Sequence, residues 1–295
     1  MCIVALKYFE KDGWVGVKNR DRNYYPKIFI KQSFRENIER MFIWDDKTKY
    51  TEGMNEHGVC ILSAAMATKD DETEIEKAEK KKKETGNFYS PDGKIIRTAL
   101  LEDNPLDTLN YCIENKLSGN TIIWNKEIAY VLEGAFKKDE YYHESKKIDH
   151  KDTAVRTNHG IWLGWAGYTY KENDKSSLLP SKSSRERLKI VKEDIKKVEH
   201  ATDMLDCISD YKTHKNPQLN PLRLDEKKDA MRSTGQLMII PSKMTLYYRP
   251  IWCEVEFDFN KLDSKETKTF FQILSSQPIL YNNQTQRRGS MSDII

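Results

Sequence analysis

At 295 residues, 32% of them charged and 38% apolar, the chain is long enough to bury one large layered core. Its 49 Lys+Arg nearly cancel its 46 Asp+Glu, leaving a formal charge of +3. The opposite charges are interspersed, which argues against nucleic acid or an anionic membrane as the main partner. No apolar run reaches the roughly 18 residues that a membrane span requires. The start, MCIVALKYFEKDG, has no basic stretch and only a short apolar one, so a signal peptide is not expected and a cytoplasmic location is. Five scattered cysteines without a C-x-x-C pair suggest neither a disulfide framework nor a zinc site. Cys60, Cys112, Cys207 and Cys253 read as small buried apolar residues.

Residues 1–23 predict a β-hairpin: CIVALKYF and WVGVKN are β-branched and aromatic, and Lys11-Asp12-Gly13 between them signals a turn. A short apolar run follows at Ile28–Ile30. Residues 52–58, EGMNEHG, read as a polar turn opening onto VCILSAAMA, a buried strand. Residues 69–86 contain almost nothing to bury and read as a charged insertion. Leu106, Leu109, Ile113 and Leu117 recur at helical spacing. Thr121–Trp124 and Ile128–Leu132 predict a second hairpin. Consecutive helices are expected over 183–198 and 201–211. Strands are expected at 235–241, 244–249 and 252–259, and residues 281–295 form a polar tail. Strands and helices come in groups rather than in alternation, so a single α+β domain over 2–280 is expected, with sheets covered by helix layers.

Cys2 is the first candidate for chemistry. Removal of Met1 would place a thiol and a free α-amine on one residue. An α-amine titrates near 8, so a large neutral fraction exists at neutral pH and can act as base toward its own thiol. If Asp12-Gly13 is a two-residue turn, Lys11 pairs with Trp14 and Cys2 lies opposite Asn23. Asp21 then becomes the diagonal neighbour of Cys2 on the same face.

Lys18-Asn19-Arg20-Asp21, at this distance from an N-terminal cysteine, resembles the Arg-Asn-x-Asp element of the choloylglycine hydrolase and penicillin V acylase family. Glu52-Gly53-Met54-Asn55-Glu56-His57-Gly58 is similar to that family's Asp-Gly-Met-Asn-Glu-Lys-Gly turn. Thr157-Asn158 is similar to its Thr-Asn pair, and Ser184-Arg185 to its Ser-Arg at the start of a helix. The related isopenicillin-N acyltransferases share this plan.

The resemblance implies a four-layer αββα sandwich of the N-terminal-nucleophile hydrolase type. It also implies roles. Cys2 is nucleophile and, through its amine, base. Asp21 orients the amine. Asn158 donates its side-chain N–H to the oxyanion, and Arg185 lies close to Cys2 and favours the thiolate. Lys18 or Arg20 stands for the family's first arginine. The stretch 62–65 lacks the family's amide side chain, leaving the backbone N–H of Ala65 as a donor. Arg22, not glutamate, follows Asp21, which sets apart another family that begins with Met-Cys.

His159 and Trp162 are candidates for substrate contact, each balanced against simple packing. The histidines lack metal-ligand spacing, so no metal is expected, and no cofactor. The expected partner is a small N-acyl amide, with no nucleic acid and no membrane; a homo-oligomer stays open. The activity implied is hydrolysis of a linear amide. The alternatives are an acyltransferase using the same site and a catalytically silent protein of this fold.

Overall fold

The computed structural model describes residues 2–66, 91–169, 178–225, 227, 230–259 and 272–275. The expected charged insertion and polar tail lie outside these residues. Strand β1 (Ile3–Phe9) pairs antiparallel with β2 (Gly13–Arg22), as the alternating apolar runs predict. The third run is longer than expected: β3 (Lys27–Arg35) turns into β4 (Ile38–Asp45) through Glu36 and Asn37, both left-handed, as two-residue hairpin loops require. Strands β5 (Thr51–Asn55), β6 (Cys60–Ala64), β7 (Gly119–Trp124), β8 (Ala129–Lys137) and β9 (Glu140–Lys147) continue that sheet antiparallel. Strand β10 (Thr153–Arg156) returns to the first sheet beside β1. Then come β11 (Arg232–Ile240), β12 (Thr245–Pro250), β13 (Glu254–Phe259) and β14 (Gln272–Ser275).

The result is a six-stranded sheet, ordered β10-β1-β2-β11-β12-β14, and an eight-stranded sheet, ordered β13-β3-β4-β5-β6-β7-β8-β9. Three apolar clusters give the layering. Val4, Leu6, Trp14, Ile30, Met54, Leu62 and Leu246 fill the space between the sheets. Ile3, Ala5, Val15 and Val17, on the other face of the first sheet, pack on Val191 and Ile195. These belong to helix α3 (Leu178–Asp194) and the tight turn after it. Phe42, Ile61 and Ile123 cover the outer face of the second sheet with Ile96 of α1 (Pro91–Ala99) and Leu109 of α2 (Pro105–Glu114). Strands buried on both faces read as continuous apolar runs for this reason, and each fully buried Leu or Ile contributes about 1.5–3 kcal/mol.

Gly13 ties the two sheets together. Its φ is +69°, and a Cβ there would stand 2.2 Å from the Lys126 carbonyl oxygen in the β7–β8 turn, to which Trp14 N donates at 3.2 Å.

Two expectations fail. Residues 51–55 are a buried strand, not part of a polar turn, because Glu52 finds buried cations to pair with. The expected helix at 201–211 is two single 3₁₀ turns, Ala201–Asp203 and Asp206–Ile208. The Lys7 ammonium takes the carbonyls of Ile195 and Val198, at 3.1 and 2.6 Å, in the turn that follows α3. No helix among the described residues is long and apolar enough to cross a membrane.

Candidate active site

Cys2 sits just before β1 with its side chain in the layer between the sheets, 4% exposed. Sheet register fixes its neighbours. Strand β1 pairs with β10 so that Val4 faces Arg156; continued by two residues, Cys2 faces Asn158. The contact is made: Cys2 N donates to Asn158 Oδ1 at 2.8 Å, and Asn158 Nδ2 donates to the Ala65 carbonyl at 2.7 Å. On the other side Ile3 faces Asn19, so Cys2 falls opposite Arg20, with Lys18 and Arg22 as same-face diagonals.

This register corrects the expected one. Phe9 pairs with Gly13 across the three residues Glu10, Lys11 and Asp12, and Gly13 closes the turn in the left-handed region. Cys2 therefore lies opposite Arg20 rather than Asn23. The shift is odd, and an odd shift moves every side chain of β2 to the other face. Asp21 consequently points away from the Cys2 thiol, toward α3.

The inner face of β2 carries a chain of buried charges. Arg22 Nη1 approaches Cys2 Sγ at 3.9 Å, and Arg22 Nε donates to Asp45 at 3.0 Å. Arg20 spans Asp45 at 3.4 Å and Glu52 at 2.7 Å. Lys18 closes the series on Glu52 and the Ser63 carbonyl. Tyr24 donates its hydroxyl to Asp45 at 2.8 Å, and the backbone N–H groups of Lys47, Thr48 and Ser63 complete the carboxylates. Lys18, Arg20, Asp45 and Glu52 are buried to within 1%. Among these five ionic side chains, three cations face two carboxylates. A Cys2 thiolate is the third anion that balances them.

The thiol responds accordingly. Burial alone would push Cys2 up, but nearby positive charge, Lys18 foremost and Arg22 with it, outweighs it and brings it down to about 7. The other four cysteines are also free, and burial pushes each of them up. Burial works against the Arg22 guanidinium, but Cys2, Tyr24 and Asp45 raise it well above its ordinary value.

The outer face of β2 holds a second cluster. Asp21 accepts from Arg187 at 2.8 Å and from Ser233 Oγ at 2.8 Å, with Arg223 at 3.5 Å; the three charged side chains are fully buried. Arg185 is not in it. Helix α3 buries Ser183, Ser184, Arg187 and Val191, one face at helical spacing, and Arg185 is turned out to solvent. The expectation that Arg185 lies against Cys2 is therefore corrected: the arginine that α3 buries is Arg187, and its partner is Asp21.

Ser184 holds the neighbouring loop. Its hydroxyl accepts from Asn158 N at 3.1 Å and meets His159 Nδ1 at 2.8 Å and Thr157 Oγ1 at 2.9 Å. Burial first, then Arg185, Lys192 and Arg156, push His159 down to about 4. The ring is thus neutral at physiological pH. Trp162 is 38% exposed, with Arg156 stacked 4.6 Å from its ring. Its backbone N–H donates to Glu133 at 2.8 Å, alongside those of Ile161 and Leu163. Ala65 is exposed and contributes its carbonyl to Asn158.

The structure thus brings Cys2, Asn158, Ala65, Lys18 and Arg20 into one region, with Arg22, Asp45 and Glu52 added. Sequence reading passed over those three, although one signal was present: Lys18, Arg20 and Arg22 alternate along a strand buried on both sides, so their face must contain anions. Among the described residues no group of three or more His, Cys, Asp or Glu is placed to hold a metal ion.

No family model matches the sequence, and no curated protein does. Among solved structures the chain is similar to one described as penicillin V acylase from Agrobacterium tumefaciens, with 9% identity over 84% of this chain and 86% of that one and a TM-score of 0.42. A likeness at that level fixes neither the family nor the activity of this chain.

Proposed function

We propose that the chain is an amidohydrolase of the N-terminal-nucleophile type, with a four-layer αββα sandwich, acting on a linear N-acyl amide from Cys2 once Met1 is removed. The carrying observation is the thiol at the head of the buried charge chain, 3.9 Å from Arg22. The buried Lys18 and Arg20 and the partly buried Arg22, with two carboxylates, favour a thiolate at neutral pH, and the thiolate is the form that attacks carbonyl carbon.

In this reading Cys2 Sγ bonds to the acyl carbon and the carbonyl π electrons move to oxygen. The C–N bond then breaks, and the Cys2 ammonium gives its proton to the departing amine. A thioester remains. Water, deprotonated by the now neutral amine, adds to it and releases the carboxylic acid and the thiolate, and the amine regains its proton. With a second amine in place of water the same site would be an acyltransferase. Arg22, Lys18 and Arg20 hold the negative sulfur before attack and after release.

The test is an acyl-amide panel assayed against protein whose intact mass shows Cys2 as first residue. Turnover that disappears in Cys2→Ala, together with an acyl-enzyme adduct on Cys2, is the expected result. Retention of Met1 in active protein, or turnover that survives Cys2→Ala, overturns the proposal.

A further inference from the structure

Asn158 is 1% exposed and bonded at each of its polar ends. Its backbone N–H donates to Ser184 Oγ at 3.1 Å, and its carbonyl accepts from Tyr168 N at 2.8 Å. Gly167 makes that return possible: its φ is +71°, and a Cβ there would stand 2.2 Å from the Asn158 carbonyl oxygen. At the side chain, Oδ1 accepts from Cys2 N at 2.8 Å while Nδ2 donates to the Ala65 carbonyl at 2.7 Å. The orientation of an asparagine amide follows from its partners. Ala65 offers only an acceptor, so Nδ2 must face it. Turning the amide over would set Oδ1 against the Ala65 oxygen and Nδ2 against the Cys2 N–H, losing two hydrogen bonds for two repulsions.

We infer that Asn158 is a positioning residue for the Cys2 α-amine, with Oδ1 as its acceptor and the Ala65 carbonyl as the lock on that orientation. The role rests on the reading that Cys2 becomes the first residue. With Oδ1 occupying one N–H direction, the rotation of the amine about its Cα–N bond is restricted. An accepted hydrogen bond also favours the ammonium, the form that protonates the leaving group. One Nδ2 hydrogen is committed to Ala65. This assignment differs from the expected one, in which the side-chain N–H of Asn158 serves the oxyanion.

The two roles separate on a titration that needs no substrate. Protein is prepared with Cys2 first, by cleavage of a removable leader, and labelled with ¹³C,¹⁵N-cysteine. NMR then follows the amine of Cys2 against pH in the parent, Asn158→Asp and Asn158→Ala, with thermal melts and near-ultraviolet circular dichroism reporting the fold. A carboxylate in place of Oδ1 is expected to raise the amine midpoint by about one unit, and its loss in the alanine variant to lower it. In a second sample of the parent, labelled with ¹³C-asparagine, the ¹³Cγ signal of Asn158 should move with the amine, which decides the question even where a variant does not fold. Unchanged midpoints in folded variants, or an Asn158 signal indifferent to the amine titration, overturn the inference. If the midpoints order as stated and no amide is cleaved, the positioning role stands and the hydrolase reading falls. Cleavage with unmoved midpoints gives the reverse.

Discussion

The two faces of β2 bury charge in different ways. The inner face strings Cys2, Arg22, Asp45, Arg20, Glu52 and Lys18 into an alternating series; the outer face sets one carboxylate, Asp21, between Arg187 and Arg223. Both clusters are desolvated, and a buried ion needs a partner because the desolvation cost per charge is several kcal/mol. The inner cluster includes a thiol brought down to about 7. The outer one has no thiol and joins β2 to α3 and β11. One face thus holds the sheet against its helix, while the other sets the ionisation of the Cys2 thiol.

The largest expected effect tests the inner face. Glu52→Gln leaves Lys18 and Arg20 without the carboxylate they share, and should cost about 3–5 kcal/mol in urea unfolding. A loss well below 1 kcal/mol would show that the series is not needed for the fold. Asp21→Asn comes next, at about 3 kcal/mol, since it takes away the carboxylate between two buried arginines. Its sharper signature is negative: the thiol reactivity of Cys2 should hold or rise slightly, because Asp21 acts to raise that thiol.

A pH series reads the inner face directly. Cys2 titrates at about 7 in the folded chain against 9.0 for an unperturbed thiol. Such a depressed acid adds stability that is complete above pH 9 and is lost as pH falls through 7. The stability of the parent relative to Cys2→Ser should therefore grow between pH 7 and pH 9, by on the order of 2 kcal/mol. A flat difference would mean that the thiolate does not complete the series.

Arg22→Met should slow iodoacetamide labelling of Cys2 at pH 7 by about fivefold, since one unit of lost thiolate stabilisation takes the ionised fraction from about a half to about a tenth. Labelling that moves instead to Cys60 or Cys253 would remove Cys2 as the reactive thiol. A separate check lies at His159, outside both clusters, whose imidazole NMR titration should centre near 4 rather than 6.5. Because the folded ring resists protonation, its contribution to stability declines as pH drops from 6.5 to 4. A midpoint above 6 would place the ring in solvent.

The elements that depend on local pattern were legible in the chain itself. The first hairpin, the strand at Cys60–Ala64, the hairpin of β7 and β8 and the strands from Gly235 onward follow from alternating or continuous apolar runs bounded by turn residues. So does the helix at Pro105–Glu114, with Asn104 capping its start through bonds to Leu106 N and Asp107 N. Strands β4, β9, β10 and β14 and helix α1 were missed: β9, for one, is exposed along nearly its whole length and has no apolar alternation to show.

Composition and spacing alone determined a core between covered sheets, a grouping of strands and helices, and a cysteine at the head of the first strand. What they left open is which side chains meet. Asp21 and Arg185 were assigned to Cys2 by their motif, yet a three-residue turn sent Asp21 to the far face and helical phase sent Arg185 to solvent. Glu52 read as part of a polar turn because its partners, Lys18 and Arg20, arrive from 34 and 32 residues away. Only tertiary structure decides such matters: strand register has period 2 and helix phase period 3.6, so one residue of difference reverses a side chain's direction, and a buried charge is tolerated only where the assembled sheets supply its counter-charge.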